Sequence, residues 1–203
     1  MQKPFEKFDL TTFWEDDDEN PKRLTDKMVE KAEKILGYKL PKSYIELLKV
    51  KNGGYPINTC FPTKVKTSRV DNHIKIQTIC GIGVEDGIDS EYGSQYMIEE
   101  WEYPEIGIMI CTCPSAGHDT VMLDYSGCGK DGEPKVVYVD TETEDGNPAV
   151  TVLAENFEDF IKGLKPDTEF ENIDENSMNP ILIKATYSDE LLKMAEKFKE
   201  KNK

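Results

Sequence analysis

Cys111-Thr112-Cys113-Pro114-Ser115-Ala116-Gly117-His118-Asp119-Thr120-Val121-Met122-Leu123-Asp124-Tyr125-Ser126-Gly127-Cys128-Gly129-Lys130-Asp131-Gly132-Glu133-Pro134-Lys135-Val136-Val137-Tyr138-Val139-Asp140 is the stretch on which the fold turns. Three β-prone runs lie in it or at its border: Ile106 to Thr112, Thr120 to Tyr125 and Lys135 to Asp140, each short and rich in β-branched or aromatic residues. Between them stand Pro114 to Gly117 and Ser126 to Gly132, clusters with the Gly and Pro that chain reversals require. The economical reading is an antiparallel meander forming the middle of a sheet, with the remaining elements covering or flanking it.

With 203 residues, 37% hydrophobic and 32% charged, the chain can bury one good core, which points to a single domain with room for an appendage. No apolar run approaches the roughly 18 residues that span a bilayer, and the first residues lack the apolar segment of a signal peptide. The expected compartment is therefore the cytoplasm. Five cysteines, an odd set without an export signal, are expected to be reduced.

Charge is the strongest compositional fact, with 25 basic against 40 acidic residues and a formal net of −15. Its distribution says more, because no Lys or Arg occurs between Lys75 and Lys130, and Glu15 to Glu19 forms a second acidic block. Such a surface repels nucleic acid, since phosphate binding needs cations that displace the counterion shell. It attracts a basic protein and speeds the encounter. Acidity alone also keeps proteins soluble without any partner; the long gap in cations is what shifts the reading toward one.

Residues 1–24 read as an irregular lead-in anchored by Phe13 and Trp14. Thr25 is placed to cap a helix whose positions Met28, Val29, Ala32, Ile35 and Leu36 form one stripe, ended by Gly37. Pro41 opens a second helix with Tyr44, Ile45, Leu47 and Leu48 on its buried face, and Asn52-Gly53-Gly54 stops it. His73 to Cys80 reads as one strand, after a loop from Gly54 to Ile74. Ser94 to Tyr103 reads as a short helix carrying Trp101. Val150 to Ala154 is expected as the last strand, with Asn156 capping a helix through Phe157, Phe160, Ile161 and Leu164. Residues 165–203 read as a linker and an amphipathic helix from Asp189 to about Lys201, docked on the domain or making a dimer contact.

Leu36-Gly37, Leu40-Pro41, Ser43-Tyr44, Leu47-Leu48 and Asn52-Gly53-Gly54 resemble the helical signature of the SUKH superfamily, which contains the fungal Smi/Knr cell-wall-synthesis regulators and many bacterial proteins. Pro114 to Asp119, Leu123-Asp124-Tyr125, Gly132-Glu133-Pro134 and Val137 to Asp140 resemble the central block of the bacterial members, and Leu153 to Ile161 their closing helix. The resemblance implies an α+β domain over residues 25–164, a mostly antiparallel sheet with helices packed on it, serving as a binding scaffold. It implies an immunity protein that neutralises a cognate toxin, with a scaffold or regulatory module for a cellular protein as the alternative. The family has no shared catalytic motif, so the expectation is no enzyme and no cofactor; charge and hydropathy add no nucleic acid and no membrane, and the oligomeric state is left open with a monomer favoured over a dimer.

Several residue sets suggest chemistry and each has a plainer reading. Ser115, His118 and Asp119 sit in one turn, but adjacent His and Asp side chains usually diverge, which a hydrolytic triad does not allow; they are expected to fix the turn instead. Gly53, Gly54, Gly117, His118, Asp119, Asp124 and Tyr125 are thus read as structural. Cys111, Cys113, His118 and Cys128 offer zinc-type atoms, yet Cys-x-Cys is an unusual spacing, and buried reduced thiols are expected, with no metal. Asp119 and Asp124 as magnesium ligands of a nuclease lack the surrounding cations a phosphate substrate needs. A lone Gly81-Ile82-Gly83 is no nucleotide loop. The candidate partner-binding residues are the acids Glu85, Asp86, Asp89, Glu91, Glu99, Glu100 and Glu102, steering a cationic toxin, with Tyr92, Tyr96 or Trp101 as the desolvated anchor. The plain alternative is a solvated acidic face with Trp101 in the core.

Overall fold

Helix α1, Asp26–Leu36, begins where Thr25 Oγ1 accepts the Met28 N–H and ends at Gly37, whose φ of 77° lets its N–H return to Glu33 O. Val29, Ala32 and Leu36 are buried. Ile35, expected in the same stripe, is 41% exposed, because at 100° per residue it lies roughly 90° from the mean direction of the other three. Helix α2, Lys42–Val50, follows Pro41 and buries Tyr44, Leu47 and Leu48 almost completely, while Ile45 is half-buried. The computed structural model describes residues 4–16 and 22–171. Met1–Glu169 makes up one compact unit, and the expected helix over 189–201 lies outside the described residues.

The meander is present and central. Strands β3 (Thr78–Ile79), β4 (Gly107–Thr112), β5 (Asp119–Asp124), β6 (Lys135–Asp140) and β7 (Ala149–Ala154) form a five-stranded sheet in that order, every pair antiparallel. Successive residues of a strand point to opposite faces, so unbroken burial from Asp119 to Leu123 and from Val136 to Asp140 means that both faces are covered there. On β7, Val150 and Val152 stay about half exposed, as on a half-wet edge strand. Helix α4, Phe157–Gly163, starts at Asn156, whose side chain accepts the Asp159 N–H, and packs on β6, β7 and α2. Tyr44 meets Phe157 edge-on at 5.0 Å, and its hydroxyl donates to Cys80 O at 2.5 Å, so the ring is buried without stranding its polar end. An α+β fold of antiparallel sheet and packed helices is what the chain forms.

The run His73 to Cys80 is two strands. Strand β1, Cys60–Pro62, pairs with β2, His73–Lys75, in a separate two-stranded sheet. The chain changes partners within two residues: Ile76 N donates to Thr59 O, whereas Gln77 N donates to Thr112 O at the start of the larger sheet. Buried Ile74 and Ile76 alternate with exposed Lys75 and Gln77 across the switch, which is why the sequence reads as continuous. A short helix, α5 (Thr168–Glu171), stands where the linker was expected to begin. Near the start, Phe13 and Trp14 are buried, and Ile57 N–H donates to Phe13 O and Glu15 N–H to Tyr55 O, tying the lead-in down. Phe5 is a further anchor, buried, with its N–H on Glu158 Oε1 at 2.9 Å.

Candidate protein-binding groove and its acidic rim

Helix α2 delivers Asn52 into the interior, 2% exposed, and its side chain makes three bonds of 2.9 Å. The amide nitrogen donates to Lys22 O and Ile82 O, and Oδ1 accepts the Ile82 N–H. Gly53, with φ of 96°, then lies so close to the loop after β3 that a Cβ would come within 2.8 Å of Gly81 N. Gly54 and Ile79 exchange backbone hydrogen bonds, which covers the outer edge of β3. Asn52-Gly53-Gly54 therefore holds the Gly81–Gly83 loop in addition to stopping a helix.

Between these walls runs an open groove of about 720 Å³, lined by Gly54, Tyr55, Gln77, Glu85, Asp86 and Tyr92 among others. Met97 and Met109 add apolar lining, and among the described residues Lys22 is its one basic lining residue. Glu85, Asp86 and Glu91 are exposed beside it, and Glu99, Glu100 and Glu102 are exposed on and after α3, Ser94–Glu100. Tyr92, 68% exposed, and Tyr96, 40% exposed, meet edge-on at 5.3 Å. This exposed aromatic pair follows directly on the acidic loop.

Two of the sequence-predicted contact residues are occupied elsewhere. Asp89 is half-buried and accepts the Gly83 N–H at 2.7 Å, closing its own loop. Trp101 is half-buried, packs on the core and meets His118 edge-on at 5.1 Å. Its indole covers Gly117, where φ is 105° and a Cβ would come within 2.3 Å of the ring. Of the three aromatics, Tyr92 and Tyr96 alone present open faces.

His118 and Asp119 diverge. Asp119 is buried and accepts hydrogen bonds from Ser115 Oγ and, at 2.5 Å, from Tyr138 Oη. The His118 ring faces Trp101 and lies 3.7 Å from Glu142, while its carbonyl accepts from both Thr141 N–H and hydroxyl. Asp124 turns the next corner by accepting the Ser126 N–H, and Tyr125 Oη donates to Lys39 O. Burial pushes the Tyr138 hydroxyl well above its ordinary value, and its bond to Asp119 adds to that. Cys80, Cys111 and Cys113 are buried and Cys128 is exposed. Burial pushes the Cys80 thiol up to about 12. Among the described residues, the set of thiol, imidazole and carboxylate atoms close enough to share an ion is instead Cys60, His73 and Asp167. Sequence reading missed it, because no local spacing joins the three.

An antiparallel sheet dressed with helices, with an open groove at one sheet edge and a carboxylate rim, makes a domain of α+β class. The family model described as SMI1-KNR4 cell-wall (SUKH_6) matches residues 26–161, and the chain belongs to this SUKH family. Membership is consistent with a module that binds other proteins. No curated protein and no solved structure matches the chain. Among the described residues, no helix is long and apolar enough to cross a membrane.

Proposed function

We propose that the protein is a non-enzymatic immunity protein that captures a cationic toxin at the groove beside β3. The observation that carries this reading is the conjunction of the exposed Tyr92–Tyr96 pair with Glu85, Asp86 and Glu91 on a stretch without a single basic residue. Carboxylates at a rim steer a basic partner and set its orientation, and aromatics next to them supply the desolvated contact. Bacterial proteins of the resembled type act as immunity factors for toxins encoded beside them, and the net charge of −15 suits a basic toxin. The groove offers backbone and apolar contacts, so a loop of the toxin carrying Lys or Arg is the expected occupant.

The test pairs capture with rescue. The protein is used to pull partners from host lysate and secreted fraction at low salt, and the retained toxin domain is co-expressed with it. Growth rescue by the native chain, with association about tenfold slower for Glu85→Lys/Asp86→Lys and weaker binding for Tyr92→Ala, is the expected result. Rescue that is indifferent to all three changes would move the interface away from the groove. Reproducible capture of housekeeping proteins alone would favour a regulatory module.

A further inference from the structure

The small sheet carries a feature that the binding reading does not use. Cys60 sits in the middle of three adjacent backbone segments: it is the register partner of Lys75 and exchanges hydrogen bonds with Lys165 at 3.1 and 2.7 Å. Side chains two residues apart share a face of such an array, and diagonal neighbours on facing strands lie within reach of one another. His73, two residues before Lys75, and Asp167, two after Lys165, are therefore brought to the same side as Cys60. One ligating atom from each, thiol, imidazole and carboxylate, lies within 4.8 Å of both others. On the opposite face Phe61 stacks on Phe160 at 5.4 Å, which fixes the array against α4.

We propose that Cys60, His73 and Asp167 form a binding site for a divalent ion of zinc type, with solvent as the fourth ligand. The donor set is the borderline-soft mixture of sulfur, nitrogen and oxygen that zinc takes in tetrahedral geometry. With metal bonds of about 2.3 Å to sulfur and 2.0 Å to oxygen, a tetrahedral edge is roughly 3.5 Å. Cys60 Sγ already lies 3.3 Å from Asp167 Oδ1, with the thiol hydrogen between them. The ion takes the place of that hydrogen, which leaves to solvent as a proton while the sulfur bonds the metal as thiolate. The other carboxylate oxygen, Oδ2, keeps the Lys75 ammonium as its outer partner. His73 Nδ1 lies 2.8 Å from Asn72 Oδ1, an acceptor, so the Nδ1–H tautomer is favoured and Nε2 carries the lone pair, the arrangement common to metal-bound histidines. Cys60 is fully buried whereas His73 and Asp167 are half-buried, leaving an open side for entry and for the fourth ligand.

Cobalt(II) titration of the full chain under a non-thiol reductant tests this directly. The expected result is a thiolate-to-cobalt charge-transfer absorption that saturates at one ion per chain and is displaced by zinc. Cys128→Ser should keep the absorption, and Cys60→Ser should abolish it. His73→Ala and Asp167→Asn should each weaken binding by more than tenfold, and Asn72→Ala, through the imidazole, by about 10-fold to 100-fold. Near-ultraviolet circular dichroism of each variant checks folding, and the half-buried His73 and Asp167 positions carry the test should Cys60→Ser fail to fold. Absence of the absorption in the native chain, or its persistence in both His73→Ala and Asp167→Asn, would overturn the site. Loss with Cys128→Ser alone would assign the thiolate to the exposed cysteine and overturn it equally.

Discussion

Replacing Asn52 by alanine strips three hydrogen bonds from one buried side chain and strands the partners it leaves behind. Ile82 contributes both its N–H and its C=O to Asn52, so both lose their side-chain partner in the interior, together with Lys22 O. A net loss of about 1 kcal/mol for each of the three bonds gives a destabilisation near 3 kcal/mol. In a domain of this size each kcal/mol moves the melting midpoint by roughly 2–4 °C, so the shift should be about 6–12 °C. Urea unfolding followed by fluorescence measures the loss, with an unchanged slope showing that the native compactness is kept. Asn52→Asp sharpens the test: its oxygen still accepts from Ile82 N–H, but a second oxygen now faces the Lys22 and Ile82 carbonyls. It should be at least as destabilising at neutral pH and should recover part of the loss in acid, where the protonated carboxyl donates again. An unfolding free energy for Asn52→Ala within about 0.5 kcal/mol of native would refute the assignment of Asn52 as the clamp of the groove loop.

Gly117→Ala forces a side chain into a φ of 105° and against Trp101, so a loss of about 2–3 kcal/mol and an altered tryptophan near-ultraviolet signal are expected in thermal melts. Of the five cysteines one is exposed, so a native sample treated with a maleimide should take up one label quickly, at Cys128, by peptide mass mapping. Cys60 and Cys80, with thiols pushed up to about 11 and about 12 chiefly by burial, should label only on unfolding. Glu158 has its carboxyl held below the usual range, first by the Lys162 ammonium, with the Phe5 N–H assisting. A lowered folded value means this stabilisation is present above the unfolded value of 4.5 and is lost as pH falls through the folded one. The protection of the Phe5 amide relative to its intrinsic exchange rate should therefore fall below about pH 4.5, and Glu158→Gln should flatten that dependence.

What was legible in the sequence is what short-range chemistry decides. Thr25 and Asn156 cap because a side-chain oxygen reaches a backbone N–H three residues on, and β4 to β6 follow from β-branched runs parted by Gly and Pro. The binding candidates divided by exposure, which periodicity alone does not report on a loop: Tyr92 and Tyr96 are open, while Trp101 is drawn onto Gly117 and His118. The strand His73 to Cys80 was misread because alternation records which side chains are buried and says nothing of which strand the backbone pairs with. Cys60 and Asp167, whose side chains meet, lie 107 residues apart, and Asn52 is 30 from Ile82.

The sheet switch explains why two separate features can coexist on so small a domain. Because the chain leaves β2 at Lys75 and joins β4 through β3 at Thr78, His73 and Lys75 stand in the Cys60 array while Gln77, Thr78 and Ile79 line the groove. The last basic residue before the cation gap is Lys75, which stands on Asp167 in the small sheet, so the segment that runs from there into the groove wall carries no cation. On the proposed function, holding Lys75 in the small sheet, on the far side of that switch, lets it neutralise Asp167 without competing for a cationic partner. Moving a cation across it, by Gln77→Lys at the groove wall, should therefore slow association with a basic partner while leaving unfolding within about 0.5 kcal/mol of native, since Gln77 is exposed. An unchanged association rate at low salt would show that the partner does not approach along this edge.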